Sequence, residues 1–261
     1  MIRTLPTQMR PMLDLNDHAG IRTLTLARAP VNALNPALCN ALCSTIAQAV
    51  ADGCDGIVLA GGPKVFSAGL DVPYLMSLGA NRAALHAAWE SFFEAARALA
   101  ACPIPVVAAI TGHSPAGGCV LALCCDHRVM ARGPFQIGLN ETQVGLAVPE
   151  GIQRMLRRAV GTHRAEQLLM RGALVDAETA LAIGLVDELA DHGEVVSVAN
   201  NWLAGLHGLP RAPMLRTRAI ARTDLIEALM PKHVDLDAML ELWEHPDAQV
   251  ALKALLVKLG K

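Results

Sequence analysis

The chain has 261 residues, 53% of them hydrophobic, and carries 22 Lys and Arg against 24 Asp and Glu for a net charge of -2. That apolar share can fill one large core or two small ones, and the scattered, nearly balanced charge lacks the basic excess that binding a nucleic-acid backbone requires. No apolar run reaches the roughly 18 residues of a membrane-spanning helix, so no membrane partner is expected.

In chain order, the opening MIRTLPTQMRPMLDLND has no hydrophobic signal core. Arg3 and Arg10 precede the first acid, Asp14, as in transit peptides and also in ordinary solvated ends; no targeting is assumed and the expected location is cytoplasmic. IRTLTLA (21–27) alternates with period two and reads as a strand. Asn35-Pro36 then caps and opens a helix over PALCNALCSTIAQAVAD. GIVLAGG (56–62) is a short strand closed by glycines, NRAALHAAWESFFEAARALAAC (81–102) a long helix, and IPVVAAI (104–110) a strand again. After the loop GHSPAGG, GCVLALCC is apolar all round, as a buried helix is. From Pro149 onward strands fade, and EGIQRMLRRAV, HRAEQLLMR, DAETALAIG, VVSVANNWLAGL and the tail from Val234 all have helical patterns. With no linker or charge block between the halves, the reading is one α/β core with a helical C-terminal extension.

Gly112-His113-Ser114-Pro115-Ala116 is one residue short of a G-x-S-x-G nucleophile elbow, with Asp187 and His192 in suitable chain order. The residue after the serine is Pro115, which has no N–H to offer an oxyanion, so Ser114 is rejected as a nucleophile. The loop ends Gly-Gly-Cys and lacks the Gly-Lys of a Walker loop, and no strand-to-helix turn carries G-x-G-x-x-G. What remains is Pro115-Ala116-Gly117-Gly118 at the start of a buried helix, serving either as a backbone donor toward negative charge or as a packing device. Seven cysteines (39, 43, 54, 102, 119, 124 and 125) form no paired C-x-x-C motif and read as reduced core thiols. The nine histidines have no metal-ligand spacing, so no metal site is expected.

A second glycine turn, KVFSAGLDV (64–72), lies upstream of this loop, and a lone acid lies downstream in IGLNETQVGL (137–146). These three segments in this order resemble the crotonase (enoyl-CoA hydratase/isomerase) superfamily, and within it they are most similar to the mitochondrial-type Δ3,Δ2-enoyl-CoA isomerases. GTHRAEQLLMRGALVDAETALAIGLVDEL continues the similarity downstream. The resemblance implies a spiral of ββα repeats over residues 1–200 and a helical trimerisation region over 201–261. It also implies a homotrimer or dimer of trimers, and an acyl-CoA substrate in fatty acid oxidation. Coenzyme A would enter only as part of the thioester, with no cofactor held permanently.

Carried over by position, the N–H groups of Ala68 and Gly117 would form an oxyanion hole. Ala68, Gly69, Leu70, Asp71 and Val72, with Ala29 and Val31 of the loop ARAPVNALN, would line the path of the CoA moiety. Hydratases of the superfamily carry two glutamates; here the first position is Val120 and the second is Glu141. Adding water needs one group to take a proton and another to deliver one, whereas moving a double bond needs one shuttle. Glu141 is therefore the expected base of an isomerase. Its flank of Leu139, Val144 and Leu146 favours an apolar setting that would raise its pKa. Asp71 reads as a loop stabiliser. Glu150 reads either as a second acid or as an ordinary first-turn charge. Two alternatives stand beside the isomerase: an enoyl-CoA hydratase, and a catalytically silent acyl-CoA-binding relative.

Overall fold

The computed structural model describes residues 11–260. The hairpin β1 (Leu13–His18) and β2 (Ile21–Leu26) turns at Ala19-Gly20, both with positive φ (49° and 79°), the hand that suits the twist of a two-residue hairpin. Helix α1 (Pro36–Ala51) starts where the Asn35 side chain accepts the Leu38 N–H at 3.0 Å. Strand β3 (Gly56–Ala60), the short α2 (Val72–Ser77) and the long α3 (Arg82–Ala100) follow. Next come β4 (Val106–Ile110), the two-residue β5 (Ser114–Pro115), α4 (Gly117–Leu123), β6 (His127–Ala131) and β7 (Gln136–Gly138). The rest is α5 (Glu150–Val160), α6 (Thr162–Arg171), β8 (Leu174–Asp176), α7 (Ala177–Ala182), β9 (Glu188–Ala190), α8 (Val195–Ala204), α9 (Arg211–Ala221), α10 (Thr223–Ala228), α11 (Leu236–Glu244) and α12 (Pro246–Lys258).

The main sheet has the order β1-β2-β3-β4-β6-β9, antiparallel only at its first pair, and a small second sheet has the order β5-β7-β8. Every residue of β3 and β4 is buried, which is why both segments read as unbroken apolar runs. Ile57, Leu59, Val106, Ala108 and Ile110 face the large core with α1 and α3. Val58, Ala60, Val107 and Ala109 face Val195, Ala199 and Leu203 of α8. A parallel sheet covered on both faces fits the α/β expectation.

The structure also holds elements that the sequence reading did not name: β1, α2, β5, β6 and β7. After Pro149 the strands are reduced to β8 and β9, of three residues each, neither of which the sequence reading named. Helices α9 and α10 lie in the 201–261 region expected to be helical, in a stretch where no individual helix was read. The expected division at 200/201 falls inside α8, which covers the back of the sheet. The C-terminal helices are tied to the core by a buried ion cluster. Asp126 accepts Arg218 through both carboxylate oxygens at 2.8 Å and Arg222 at 2.9 Å, and it also accepts the Val106 N–H at 2.8 Å. Arg218 and Arg222 in turn donate to the carbonyls of Cys102 and Ala100, so the buried guanidinium groups are satisfied on several sides. Among the described residues no helix is long and apolar enough to cross a membrane.

Candidate active site

A cavity of about 580 Å³ opens between the two glycine turns and the C-terminal helices. Of the residues anticipated from sequence, Ala29, Val31, Ala68, Leu70, Asp71, Val72, Gly117 and Glu141 all lie in its wall. Gly69 does not face the space but sits behind it, against Gly117.

The first turn runs alongside residues 31–34. Leu34 N–H donates to the Gly69 carbonyl (2.8 Å), and Asp71 N–H donates to the Leu34 carbonyl (2.9 Å). Asn32 holds the two segments together from the left-handed region (φ 50°): its Nδ2 donates to the Phe66 carbonyl (3.0 Å), and its own carbonyl accepts Ser67 Oγ (2.8 Å). This pairing decides which N–H groups remain free. Ala68, expected as a donor toward substrate, has its N–H committed to the Val31 carbonyl at 2.9 Å. Gly69 N–H donates to Ser67 Oγ at 3.2 Å. Leu70 N–H has no acceptor among the described residues. In this geometry Leu70, and not Ala68, presents the unengaged donor.

In the second turn Ala116 adopts φ 49° and donates its N–H to the Gly138 carbonyl (2.8 Å), which fixes the start of α4. Gly117 opens that helix, and its N–H likewise lacks an acceptor among the described residues. Gly69 has φ 82°, and a Cβ built on it would stand 2.8 Å from the Gly117 nitrogen and 2.9 Å from Ala116 Cβ. Only glycine permits that approach, and it sets Leu70, the next residue along, beside Gly117.

Asp71 is occupied at both oxygens. Oδ1 caps α2 by accepting the Tyr74 N–H (3.0 Å), and Oδ2 accepts Arg28 Nη2 (2.5 Å), while Arg28 Nη1 donates to the Ala33 carbonyl (2.7 Å). Its place in the wall is that of a loop clamp.

Glu141 begins a single 3₁₀ turn, Glu141–Val144, that ends at Gly145 in the left-handed region (φ 80°). Thr142 Oγ1 and Gln143 Nε2 anchor the turn by donating to the carbonyls of Leu169 (3.1 Å) and Arg171 (3.3 Å). The carboxyl is enclosed: Oε2 is buried and has no hydrogen-bond partner among the described residues. Burial raises its pKa to about 7, so protonated and ionised forms are both populated near neutrality.

Val120 is fully buried and shares the cavity wall with Glu141. Glu150 does not reach the cavity. Its side chain is about half exposed, at 53%, and pairs with Arg154 (2.7 Å) and His233 (3.2 Å), which hold its carboxyl below the usual range. Ser114 is buried with its Oγ unpartnered, Asp187 pairs with Arg128 (2.8 Å), and His192 contacts the Pro63 carbonyl, so no nucleophilic triad forms. Sequence reasoning did not single out Trp89, Phe92, Asn140, Met239, Leu255 and Leu259, which complete the wall. The spacing of Trp89 and Phe92, three apart on one face of a helix, is the signal that could have paired them.

Residues 16–249 match the family model described as Enoyl-CoA hydratase/isomerase. The chain belongs to that family. The enoyl-CoA hydratase/isomerase chain is 36% identical over 202 residues to the mouse protein named Enoyl-CoA delta isomerase 1, mitochondrial, covering 75% of this chain and 69% of that protein. It is also 36% identical over 202 residues to a Mycobacterium tuberculosis protein named Probable enoyl-CoA hydratase EchA17, covering 76% of each. The crystal structure of human mitochondrial delta3-delta2-enoyl-CoA isomerase superposes with a TM-score of 0.90 at 29% identity, covering 96% of this chain and 98% of that one. The crotonase fold is thus established, and relatives bearing either activity's name lie at the same identity.

Proposed function

We propose that this family member moves the double bond of a 3-enoyl-CoA thioester to the 2 position. The observation that carries the reading is the lone enclosed carboxyl of Glu141, sharing one cavity with two backbone N–H groups that lack acceptors. The N–H groups of Leu70 and Gly117 receive the thioester oxygen. As Glu141 takes a proton from C2, they stabilise the dienolate oxygen more than the starting carbonyl. The same carboxyl then returns the proton at C4, leaving the conjugated 2-enoyl thioester and the ionised base. A carboxyl near pKa 7 serves both halves of the transfer, since it neither holds nor releases the proton too strongly. The Arg28–Ala33 loop, clamped by Asp71, takes the CoA end.

A hydratase needs a second acid within reach of the added water. The position that would carry it is Val120, Asp71 is spent on Arg28 and Tyr74, and Glu150 points outside. A silent acyl-CoA binder would have no use for a carboxyl with a buried, unpartnered oxygen and a raised pKa, which disfavours folding at neutral pH. The test is parallel incubation with 3-enoyl-CoA and 2-enoyl-CoA, following conjugation by ultraviolet absorbance and hydration by product chromatography. Rapid conjugation with hydration at a small fraction of its rate is expected. Faster hydration than conjugation would overturn the isomerase reading.

A further inference from the structure

We propose that Trp89 sets the length of acyl chain this cavity accepts, an inference that rests on the cavity being an acyl-CoA site. Helix α3 presents Phe92 and Trp89 to the cavity one turn apart. Phe92 abuts the donor turn, since a Cβ on Gly117 would meet its Cε2 at 3.2 Å. Trp89 is one turn nearer the start of α3, the end at which Arg82 bonds Glu244 (3.2 Å) and the Asp237 carbonyl (3.3 Å) of α11. The path from Gly117 past Phe92 to Trp89 therefore leads toward the C-terminal helices, whose Met239, Leu255 and Leu259 continue the apolar wall.

Behind Trp89 stands Trp243 of α11, buried and outside the cavity wall, with the two rings edge to face at 6.3 Å and 79°. The Trp89 indole is thus a partition between the cavity and a second buried ring. Its Nε1 is buried with no acceptor among the described residues, a penalty that a phenyl ring would avoid. The ring contributes bulk rather than a hydrogen bond, and that bulk stops a chain advancing from the reacting carbons.

The experiment uses the purified full chain with 3-enoyl-CoA substrates of increasing length. In parallel it measures the Kd of saturated acyl-CoA of the same lengths, which needs no turnover. In the parent, kcat/KM falls once the chain end meets Trp89. Trp89→Ala should raise the long-to-short ratio of kcat/KM by about tenfold or more, the scale of one or two methylenes admitted or refused by an apolar pocket. The change should sit in KM and be matched by Kd. Trp89→Phe, which keeps a ring and removes the orphan donor, should shift the ratio the same way by less and melt no lower than the parent. Folded Trp89→Ala and Trp89→Phe proteins whose ratios both stay within about twofold of the parent's would overturn the proposal. A parent that binds acyl-CoA with a length limit relieved in Trp89→Ala, yet isomerises nothing, would sink the isomerase reading and support the role of Trp89.

Discussion

Glutamine at position 141 keeps the shape of the side chain and deletes its ionisation, so Glu141→Gln tests burial and catalysis separately. In the folded chain the carboxyl titrates at about 7, against a reference value of 4.5. Between those two pH values the folded protein holds a proton that the unfolded chain has shed. The stabilisation is therefore full below about 4.5, declines as pH rises, and is lost once pH passes 7. At roughly 1.4 kcal/mol per pH unit, that window is worth about 3 kcal/mol. Every other group titrates alike in both proteins, so the advantage of Glu141→Gln over the parent should grow by that amount between pH 4.5 and 8. For a chain of this size it is about 6–12 °C in thermal midpoint. Melting both proteins across this range measures it, and isomerase assays on the same samples should show a loss of about 10²–10⁴-fold for the variant. The parent's rate should climb with pH through 7 as the base ionises. Parallel melting curves would refute an enclosed carboxyl, and near-parental turnover would refute the shuttle.

Replacing Leu70 by its α-hydroxy acid, which turns the N–H into an ester oxygen, should cost about 10²–10³-fold in turnover. The same change at Ala68 should lower the melting temperature and leave a larger share of activity; equal losses of activity would reject the assignment of donors. Val120→Glu should raise hydration of 2-enoyl-CoA modestly while lowering stability, because the new carboxyl enters a fully buried position; a folded variant whose product analysis shows no gain in hydration argues that a second acid is not what is missing. Arg222→Leu leaves Asp126 short of one partner and should destabilise by about 3–5 kcal/mol in urea unfolding; a loss too small to resolve would mean that Arg218 alone suffices.

What could be read from sequence followed from how local the signal was. Strands β3 and β4 were legible because burial on both faces writes itself as a continuous apolar run. The two glycine turns were legible as motifs, and Glu141 stood out as the acid among apolar neighbours. Strands β8 and β9 are three residues each, too short for a period to register. Helix α9 has no fully buried residue and is anchored by Arg211 on Asp55 and Arg218 on Asp126, so it lacks the apolar stripe that announces a helix. The choice between Ala68 and Leu70 depends on how 66–71 pairs with 31–34, a contact between segments more than thirty residues apart that no local pattern encodes. Trp89 and Met239 share a wall only because α11 docks on the start of α3.

The backbone contact between Gly69 and Gly117 bears on how such a catalyst can diversify. In the proposed reaction the anion's position would be defined by main-chain atoms of two turns that approach closely at Gly69 and Gly117. Nearly every side chain around the reacting carbons can then be exchanged without displacing the groups that receive the charge. Which carbon gains or loses a proton would then depend on where carboxyls are placed on that frame, which is what Val120→Glu tests. A change at Gly69 has no such latitude, because any added carbon drives the two turns apart and removes the site for every reaction at once.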